Sequence, residues 1–138
     1  MGPLLGADDA TRITTDYRRF WSIASGLSRQ PPESWRRTLA TVAVEPLLSE
    51  MVDAATEQHR KGLLDFGTIR LHPRIVRSST RRVSIVDCQD ASGSGLLDAE
   101  TGAVTSVGSA RTPFAGVMDL SSDGRWRLSQ ARLLDGGC

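Results

Sequence analysis

The sequence has very little lysine and few aromatic residues. Lys61 is the single lysine among 17 basic residues, which 16 acidic residues balance to a net charge of +1. Arginine suits phosphate recognition, so the arginine pairs at 18–19, 36–37 and 81–82 raise the hypothesis of nucleic-acid binding. These pairs are dispersed among acids, and aromatic residues, which base stacking would need, make up only 5% of the chain. We therefore interpret the arginines as solvated surface and expect no nucleic-acid partner.

Long apolar runs are also absent. No stretch of about 18 apolar residues occurs, so the sequence predicts no membrane-spanning segment. Residues 1–9 contain neither the basic region nor the apolar core that is typical of a signal peptide. Taken alone they favour a cytoplasmic protein, whereas an extracytoplasmic location requires that an export segment has been removed. The length of 138 residues and the hydrophobic content of 39% are ordinary for a single globular domain.

Motifs for several kinds of chemistry are missing. No serine lies in a Gly-x-Ser-x-Gly turn, and no glycine-rich phosphate loop precedes a predicted helix. His59 and His72 are the only two histidines, and no spacing of further ligands around either of them indicates a metal site. We expect exposed positions for both histidines, no bound metal and no cofactor.

The first half of the sequence has helical periodicity. A flexible N-terminus, residues 1–9, ends with Asp8 or Asp9, either of which can cap a helix that begins near Ala10. The prolines at 31–32 end this helix, because proline lacks the amide donor. Its apolar residues recur at spacings of three and four: Ile13, Tyr17, Phe20, Trp21, Ala24 and Leu27.

Two further helices are predicted downstream. One opens at Glu33, and the other follows Pro46, which the first turn of a helix tolerates, and stops at Gly62. Their apolar faces carry Trp35, Leu39 and Val42, and then Leu47, Leu48, Met51, Val52 and Ala55. Residues 10–62 are therefore predicted to be mainly helical.

Beyond Gly62 the period changes to the alternation of β-strands. The Ser-Ser-Asp-Gly sequence at 121–124 predicts a hairpin turn, and we interpret Ser-Gly-Ser-Gly at 92–95 as a flexible surface loop. The predicted strands are 68–71, 74–77, 82–88, 103–107, 112–120 and 125–134. Helices followed by hairpins favour an α+β fold in which the N-terminal helices pack on one face of a curved antiparallel sheet.

Several local motifs occur in a recognisable order along these elements. They are Tyr-Arg-Arg-Phe-Trp at 17–21, Gly-Leu at 62–63 followed by Gly67 and Pro-Arg-Ile-Val at 73–76, Val-Asp-Cys-Gln-Asp at 86–90, Trp126 and the terminal Gly-Cys. In this order they resemble the nuclear-transport-factor-2-like superfamily of cone-shaped domains, and in particular its small actinobacterial members described as secreted proteins or lipoproteins. The resemblance covers nearly the whole chain and implies a single domain over residues 10–138.

The resemblance implies two classes of function. The actinobacterial group has no established enzymatic role, so the first hypothesis is a non-catalytic binding or assembly module, an accessory of a cell-envelope or mobile-element system. The wider superfamily includes cyclases and isomerases, so the second is a small-molecule enzyme of the polyketide-cyclase or isomerase kind with a carboxylate in the cone cavity. One fold can serve many functions, so the resemblance does not decide between the two hypotheses. Because the sequence shows no acid–base partners, we favour the non-catalytic module.

Asp87 and Asp90 are the catalytic candidates of this sequence. Two close carboxylates can be driven to different pKa values and share acid–base work. Residues three apart on a strand point to opposite faces, so these two share a site only if the chain bends after Cys88. We favour turn capping for Asp90 and expect no catalysis by either residue.

Tyr17, Trp21 and Trp126 are the candidates for a pocket lining. A helix laid over a curved sheet leaves space for an apolar cavity between them, which a small apolar ligand would occupy. In that case Asp87 and the Tyr17 hydroxyl would add polar groups to the aromatic walls. The alternative is that the three aromatic residues fill the core, and their helical spacing favours this.

Cys88 and Cys138 are the only two cysteines of the chain. A disulfide between them would join the frayed C-terminus to a strand end, whereas as free thiols Cys88 would be a small core residue and Cys138 an inert tail. The resemblance to a mostly exported group favours the disulfide. Such a bond would indicate an oxidising compartment.

A homodimer is predicted from the strand at 112–120. Phe114, Val117, Met118 and Leu120 are expected on both faces of this strand, and burial against one layer of helices cannot cover both faces. We therefore expect the open sheet face to pair with a second copy or with another protein.

Overall fold

Three α-helices precede the strands in the computed structural model, which describes residues 6–138. They are α1 (Ala7–Gly26), α2 (Trp35–Leu39) and α3 (Leu47–Arg60), with short 3₁₀ helices η1 (Leu27–Arg29) and η2 (Pro32–Ser34) between the first two. Helix α1 begins three residues earlier than expected, with Gly6 at the N-cap position, so Asp8 and Asp9 lie in its first turn instead of capping it. There their negative charges interact favourably with the helix dipole and stabilise the N-terminus of α1. The rest of the predicted flexible N-terminus, residues 1–5, lies outside the described residues.

Seven strands form two antiparallel sheets. The strands are β1 (Leu63–Gly67), β2 (Pro73–Ser78), β3 (Arg82–Gln89), β4 (Ser94–Asp98), β5 (Val104–Val107), β6 (Thr112–Leu120) and β7 (Trp126–Leu133). The larger sheet has the order β2-β3-β6-β7, and the smaller has the order β1-β4-β5. The predicted α+β fold is confirmed, and so is the hairpin turn, where Ser121 N donates to the Arg125 carbonyl.

The main hydrophobic core lies between α1 and the four-stranded sheet. The sheet alternates strictly along β3, so Val83 and Ile85 point inward and are fully buried. Two polar contacts fix the helix across the sheet end: Asp16 Oδ2 accepts from Trp126 N at 3.0 Å, and Arg12 donates to the Gly124 carbonyl at 2.7 Å. A second cluster, Leu27, Trp35 and Leu39, joins η1 and α2 to α3.

Two local predictions were wrong. Residues 68–71 form only an isolated bridge between Arg70 and Asp90, and the strand lies earlier, at β1. It ends at Gly67, which has φ of 76° and no room for a side chain, since a Cβ would lie 1.9 Å from the Gly93 carbonyl. The loop expected at 92–95 is an exposed turn only at Ser92 and Gly93, and Ser94 and Gly95 open strand β4, which backbone pairing with β1 holds.

No helix within residues 6–138 is long and apolar enough to cross a membrane. The C-terminus is held by a disulfide between Cys88 on β3 and Cys138, with a Cα–Cα distance of 5.8 Å. The bond therefore pins the tail that follows β7 to the end of β3, an inner strand of the four-stranded sheet.

The apolar residues of β6 lie mostly on one face. Phe114 stacks edge-on against Trp21, with ring centroids 5.2 Å apart, Met118 is fully buried, and Leu120 packs against the core. Only Val117 alternates to the outer face. The reason for predicting a homodimer through this face is thereby reduced to one residue, and burial against one helical layer covers the rest.

We expect the double substitution Cys88→Ala with Cys138→Ala to lower the free energy of unfolding by about 2–4 kcal/mol, because the bond closes a loop with a sequence separation of 50. Urea unfolding at equilibrium measures this. Quantifying thiols in denatured, unreduced protein is the control, and two reactive thiols per chain would contradict the disulfide.

Candidate functional site

Asp87 occupies the interior of the fold. It lies on β3 between the inward positions of Ile85 and Gln89 and is only 2% exposed. Its Oδ2 accepts from the Tyr17 hydroxyl at 2.7 Å and from Gln89 Nε2 at 3.1 Å, and its Oδ1 accepts from the His72 backbone amide at 2.6 Å. These three donors compensate a buried carboxylate that has no cationic partner among residues 6–138.

Tyr17 links α1 to this carboxylate. Its ring is 2% exposed and belongs to the main core, while its hydroxyl reaches Asp87. Burial raises the pKa of the Tyr17 hydroxyl far above its usual value, and the hydrogen bond to Asp87 raises it further. The phenol therefore stays protonated and acts as a permanent donor to the carboxylate.

Asp87 and Asp90 do not share a site. Asp90 lies beyond the end of β3, where its Oδ1 accepts from the Ser92 amide at 3.0 Å and from the Ser92 hydroxyl at 2.6 Å. These hydrogen bonds hold the pKa of Asp90 below its ordinary value. Asp90 caps a turn, whereas both oxygens of the Asp87 carboxylate accept hydrogen bonds from other residues of the fold.

The three aromatic candidates separate in the structure. Tyr17 and Trp126 are almost fully buried in the main core cluster, so they fill the core there. Of the three, only Trp21 borders the open space described below, and its ring also packs edge-on against Tyr17. Its indole Nε1 is buried and has no hydrogen-bond partner among the described residues.

Open space lies beside Trp21 in what we call the α1–β1 cleft. It separates the C-terminal half of α1 from β1 and the segment 68–71, and its larger compartment measures about 460 Å³. A smaller compartment of about 200 Å³ continues towards α3, and Trp21, Ser25, Asp65 and Ile69 border both. The walls of the larger compartment are formed by Arg18, Trp21, Ser22, Ser25, Gly26, Arg29, Asp65, Phe66, Gly67, Thr68, Ile69 and Leu71.

The charged groups of the cleft are Asp65, which borders both compartments, and Arg18 and Arg29, which border the larger one. Asp65 accepts from Gln58 Nε2 at 3.1 Å, and its carbonyl accepts from Arg29 at 3.0 Å, so both side chains are held against β1. Arg18 is exposed and forms no salt bridge within residues 6–138. The cleft thus combines apolar walls with one uncommitted cation at its rim.

The sequence prediction missed most of this cleft. Its β1 side was not recognised, because residues 63–67 form a strand of only five residues between two glycines. The alternation of Leu64 and Phe66 with Asp65 is the signal that was present, but it is too short to distinguish from the end of a helix.

Both histidines have structural neighbours. His59 stacks edge-on against Trp35, with centroids 5.7 Å apart, and His72 Nδ1 lies 2.8 Å from the Cys88 carbonyl. Within the described part of the chain, no group of three or more His, Cys, Asp or Glu side chains is arranged to hold a metal ion.

The three helices and the two antiparallel sheets have the same α+β fold as several solved structures, among them a ketosteroid isomerase-like protein. The chain is similar to the intermembrane space region of the chloroplast protein ARC6, with a TM-score of 0.64 and 20% identity over 97% of this chain and 100% of that one. It is also similar to a ketosteroid isomerase-like protein from Erwinia carotovora atroseptica, with a TM-score of 0.60 and 9% identity over 91% and 95% of the two chains. A structure from Catenulispora acidiphila has a TM-score of 0.58 and 13% identity over 93% and 91%.

No family model matches the chain, and no curated protein matches its sequence. At these identities the structural similarity establishes the fold and leaves the function to be argued from the site.

Tyr17 is the single tyrosine, so tyrosinate absorbance reports this residue alone. We expect no ionisation in the folded protein at about pH 10, where a free tyrosine is half ionised, and a midpoint near that value in denaturant. Because the folded pKa is raised, the associated stability is present below about pH 10 and is lost as the pH rises towards the folded pKa. Tyr17→Phe should lack this component of the pH dependence. An ordinary midpoint in the folded protein would contradict the buried hydrogen bond.

Asp87→Asn should lower the free energy of unfolding by about 1–3 kcal/mol, because the amide turns one acceptor into a donor that faces other donors. Asp90→Asn is the matched control and should change it by less than about 0.5 kcal/mol, since asparagine also caps turns. Chemical denaturation measures both. Turnover of a substrate that Asp87→Asn abolishes at unchanged stability would contradict this structural role.

Proposed function

We propose that the protein is a non-catalytic binding module whose binding site is the α1–β1 cleft. The observation that carries this proposal is the contrast between the two polar sites of the fold. The Asp87 carboxylate is buried with both oxygens hydrogen-bonded, whereas the cleft is open to solvent. Binding chemistry is therefore accessible where acid–base chemistry is not.

The ligand class follows from the walls of the cleft. Trp21, Ile69 and Leu71 supply apolar contact area, and about 460 Å³ is within the usual range for small-molecule sites. Arg18 at the rim is free to pair with an anionic group, because no acid of the described chain pairs with it. A small, mostly apolar molecule with one carboxylate or similar anion fits this arrangement.

The alternative is a small-molecule enzyme of the polyketide-cyclase or isomerase kind. One structural neighbour is described as ketosteroid isomerase-like, which is the reason to consider this alternative. That chemistry needs a carboxylate in contact with substrate. Asp65 borders the cleft, but its carboxylate already accepts a hydrogen bond from Gln58 Nε2. No second acid lines the larger compartment. The site therefore favours binding.

An extracytoplasmic location is part of the proposal. The disulfide supports it, since such bonds persist in oxidising compartments. The similar region of ARC6 is described as lying in the intermembrane space, which is compatible with this location. With the resemblance to small secreted actinobacterial proteins, this supports an accessory role in a cell-envelope or mobile-element system.

The experiment uses anilinonaphthalene sulfonate, an apolar aromatic dye with one anionic group. We expect saturable fluorescence enhancement with one site per chain. Arg18→Gln should weaken binding about tenfold, the effect of losing one charge-assisted contact of about 1.5 kcal/mol. Arg19→Gln is the matched control, because this neighbouring exposed arginine does not border the cleft, and it should leave binding unchanged.

A neutral analogue of the dye separates charge from apolar contact. Phenylnaphthylamine should bind the wild type and Arg18→Gln equally, whereas Ser25→Phe, which fills the cleft, should abolish the binding of both probes. Equal effects of Arg18→Gln and Arg19→Gln on the anionic dye, or binding that survives Ser25→Phe, would contradict the proposed site.

A further inference from the structure

Strand β5 packs against no other layer of the fold. All four of its residues are exposed, and they lie within a continuous exposed segment from residue 99 to 111. Val104 and Val107 are 56% and 60% exposed, among the highest values for large apolar side chains in the described chain. Within residues 6–138, β5 is an edge strand that is paired only with β4, and its two exposed valines form an apolar surface to which a partner can bind.

The free edge of β5 differs from the other sheet edges. The edge of β1 is closed by η1, where Ser28 Oγ accepts from the Asp65 amide and Arg29 donates to its carbonyl. The edge of β7 is closed at Leu128, which exchanges backbone hydrogen bonds with Val42 and Val44.

The fourth edge, β2, carries features that discourage pairing. It contains Pro73, Arg74 and Arg77 and an irregularity at Val76. No charged residue and no proline occurs between Thr101 and Ala110 around β5. Among the sheet edges within residues 6–138, β5 alone is neither covered nor charged.

A bulge in β5 places both valines on one face. Val104 pairs with Leu97 and Val107 pairs with Gly95, with one extra residue between them. Since Leu97 and Gly95 are two apart on β4, their partners share a face. The same face carries Leu64 and Phe66 on β1, and none of these residues belongs to either cluster of the hydrophobic core.

The backbone groups of β5 alternate in the same sense. Gly108 N donates to Ser94 and the Ala103 carbonyl accepts from Asp98, so those two residues face β4. Alternation then directs the amide and carbonyl of Val104 and Val107 towards the open side. The free edge therefore presents the amide and the carbonyl of Val104 and those of Val107 to an incoming strand.

We propose that β5 pairs antiparallel with β5 of a second copy of this chain, across a two-fold axis between Thr105 and Ser106. In this register Val104 lies opposite Val107 of the other copy, which matches apolar with apolar side chains and outward backbone groups with outward backbone groups. Thr105 then lies opposite Ser106, a favourable hydroxyl pair. The two small sheets become one six-stranded sheet with a continuous apolar face.

Self-complementarity selects a second copy over a different partner. The strand presents no charge that would choose an oppositely charged protein, and its own sequence satisfies the register from both sides. A four-residue edge with one row of side chains buries less than the roughly 1,200 Å² of a standard interface. The dimer is therefore weak, with half-dissociation expected at about 100 µM.

Sedimentation equilibrium from about 10 µM to about 1 mM tests the proposal. The expected result is a reversible shift from 14.9 kDa towards twice that mass. Val107→Glu or Val104→Lys alone should weaken the dimer at least about tenfold, because each places an unpaired charge against a valine. The double substitution should restore it, because the two-fold axis brings the opposite charges together.

Val76→Glu is the matched control, since Val76 is an exposed valine on the edge of the other sheet, and it should leave the dimer intact. Circular dichroism and dye binding in the cleft should be unchanged in every variant, which separates this proposal from that of the cleft. A chain that stays monomeric at all concentrations overturns the dimer and leaves an extended segment of another protein as the occupant. A dimer that Val76→Glu weakens equally, or that the double substitution does not restore, also overturns it.

Discussion

The hydrogen bond between the Tyr17 hydroxyl and the Asp87 carboxylate is the contact on which the rest of the fold depends. It joins the longest helix to a central strand inside a layer that is otherwise apolar. A carboxylate at this depth is tolerated only because Gln89 and the His72 amide complete its hydrogen bonds. These hydrogen bonds engage both oxygens of the carboxylate within the fold, which favours a structural role for Asp87.

The two sheets contribute differently to the hydrophobic core. The four-stranded sheet supplies the core with α1, and its tail is locked by the disulfide at Cys88. The three-stranded sheet contributes nothing to either core cluster within residues 6–138, and its surfaces stay available for contacts. One side of β1 forms the wall of the cleft, and β5 at the far edge is open. The proposed binding cleft and the proposed dimer edge thus both involve the sheet that lies outside the two core clusters.

The charge pattern is consistent with this division. Several arginines are engaged locally, as in the bidentate pairs of Arg82 with Asp119 and Arg127 with Asp123, which fasten strand ends. Arg18 has no ion pair within residues 6–138, and α1 places it at the rim of the cleft. Several arginines of this arginine-rich chain therefore form local contacts, and Arg18 is the candidate ligand-binding cation.

Much of the fold could be predicted from the sequence, because local patterns determine it: the spacing of Ile13, Tyr17 and Phe20 specifies α1, and the alternation of β3 specifies a half-buried strand. The pairing of Cys88 with Cys138 was open between two alternatives, and the three-dimensional proximity of the strand and the tail decided it. The strands β1 and β4 were missed because they are short and glycine-bounded, and only their pairing with each other stabilises them. The cleft and the free edge of β5 were beyond the sequence for the same reason. Both depend on which segments lie side by side, and local propensity carries no information about neighbours that are distant in the chain.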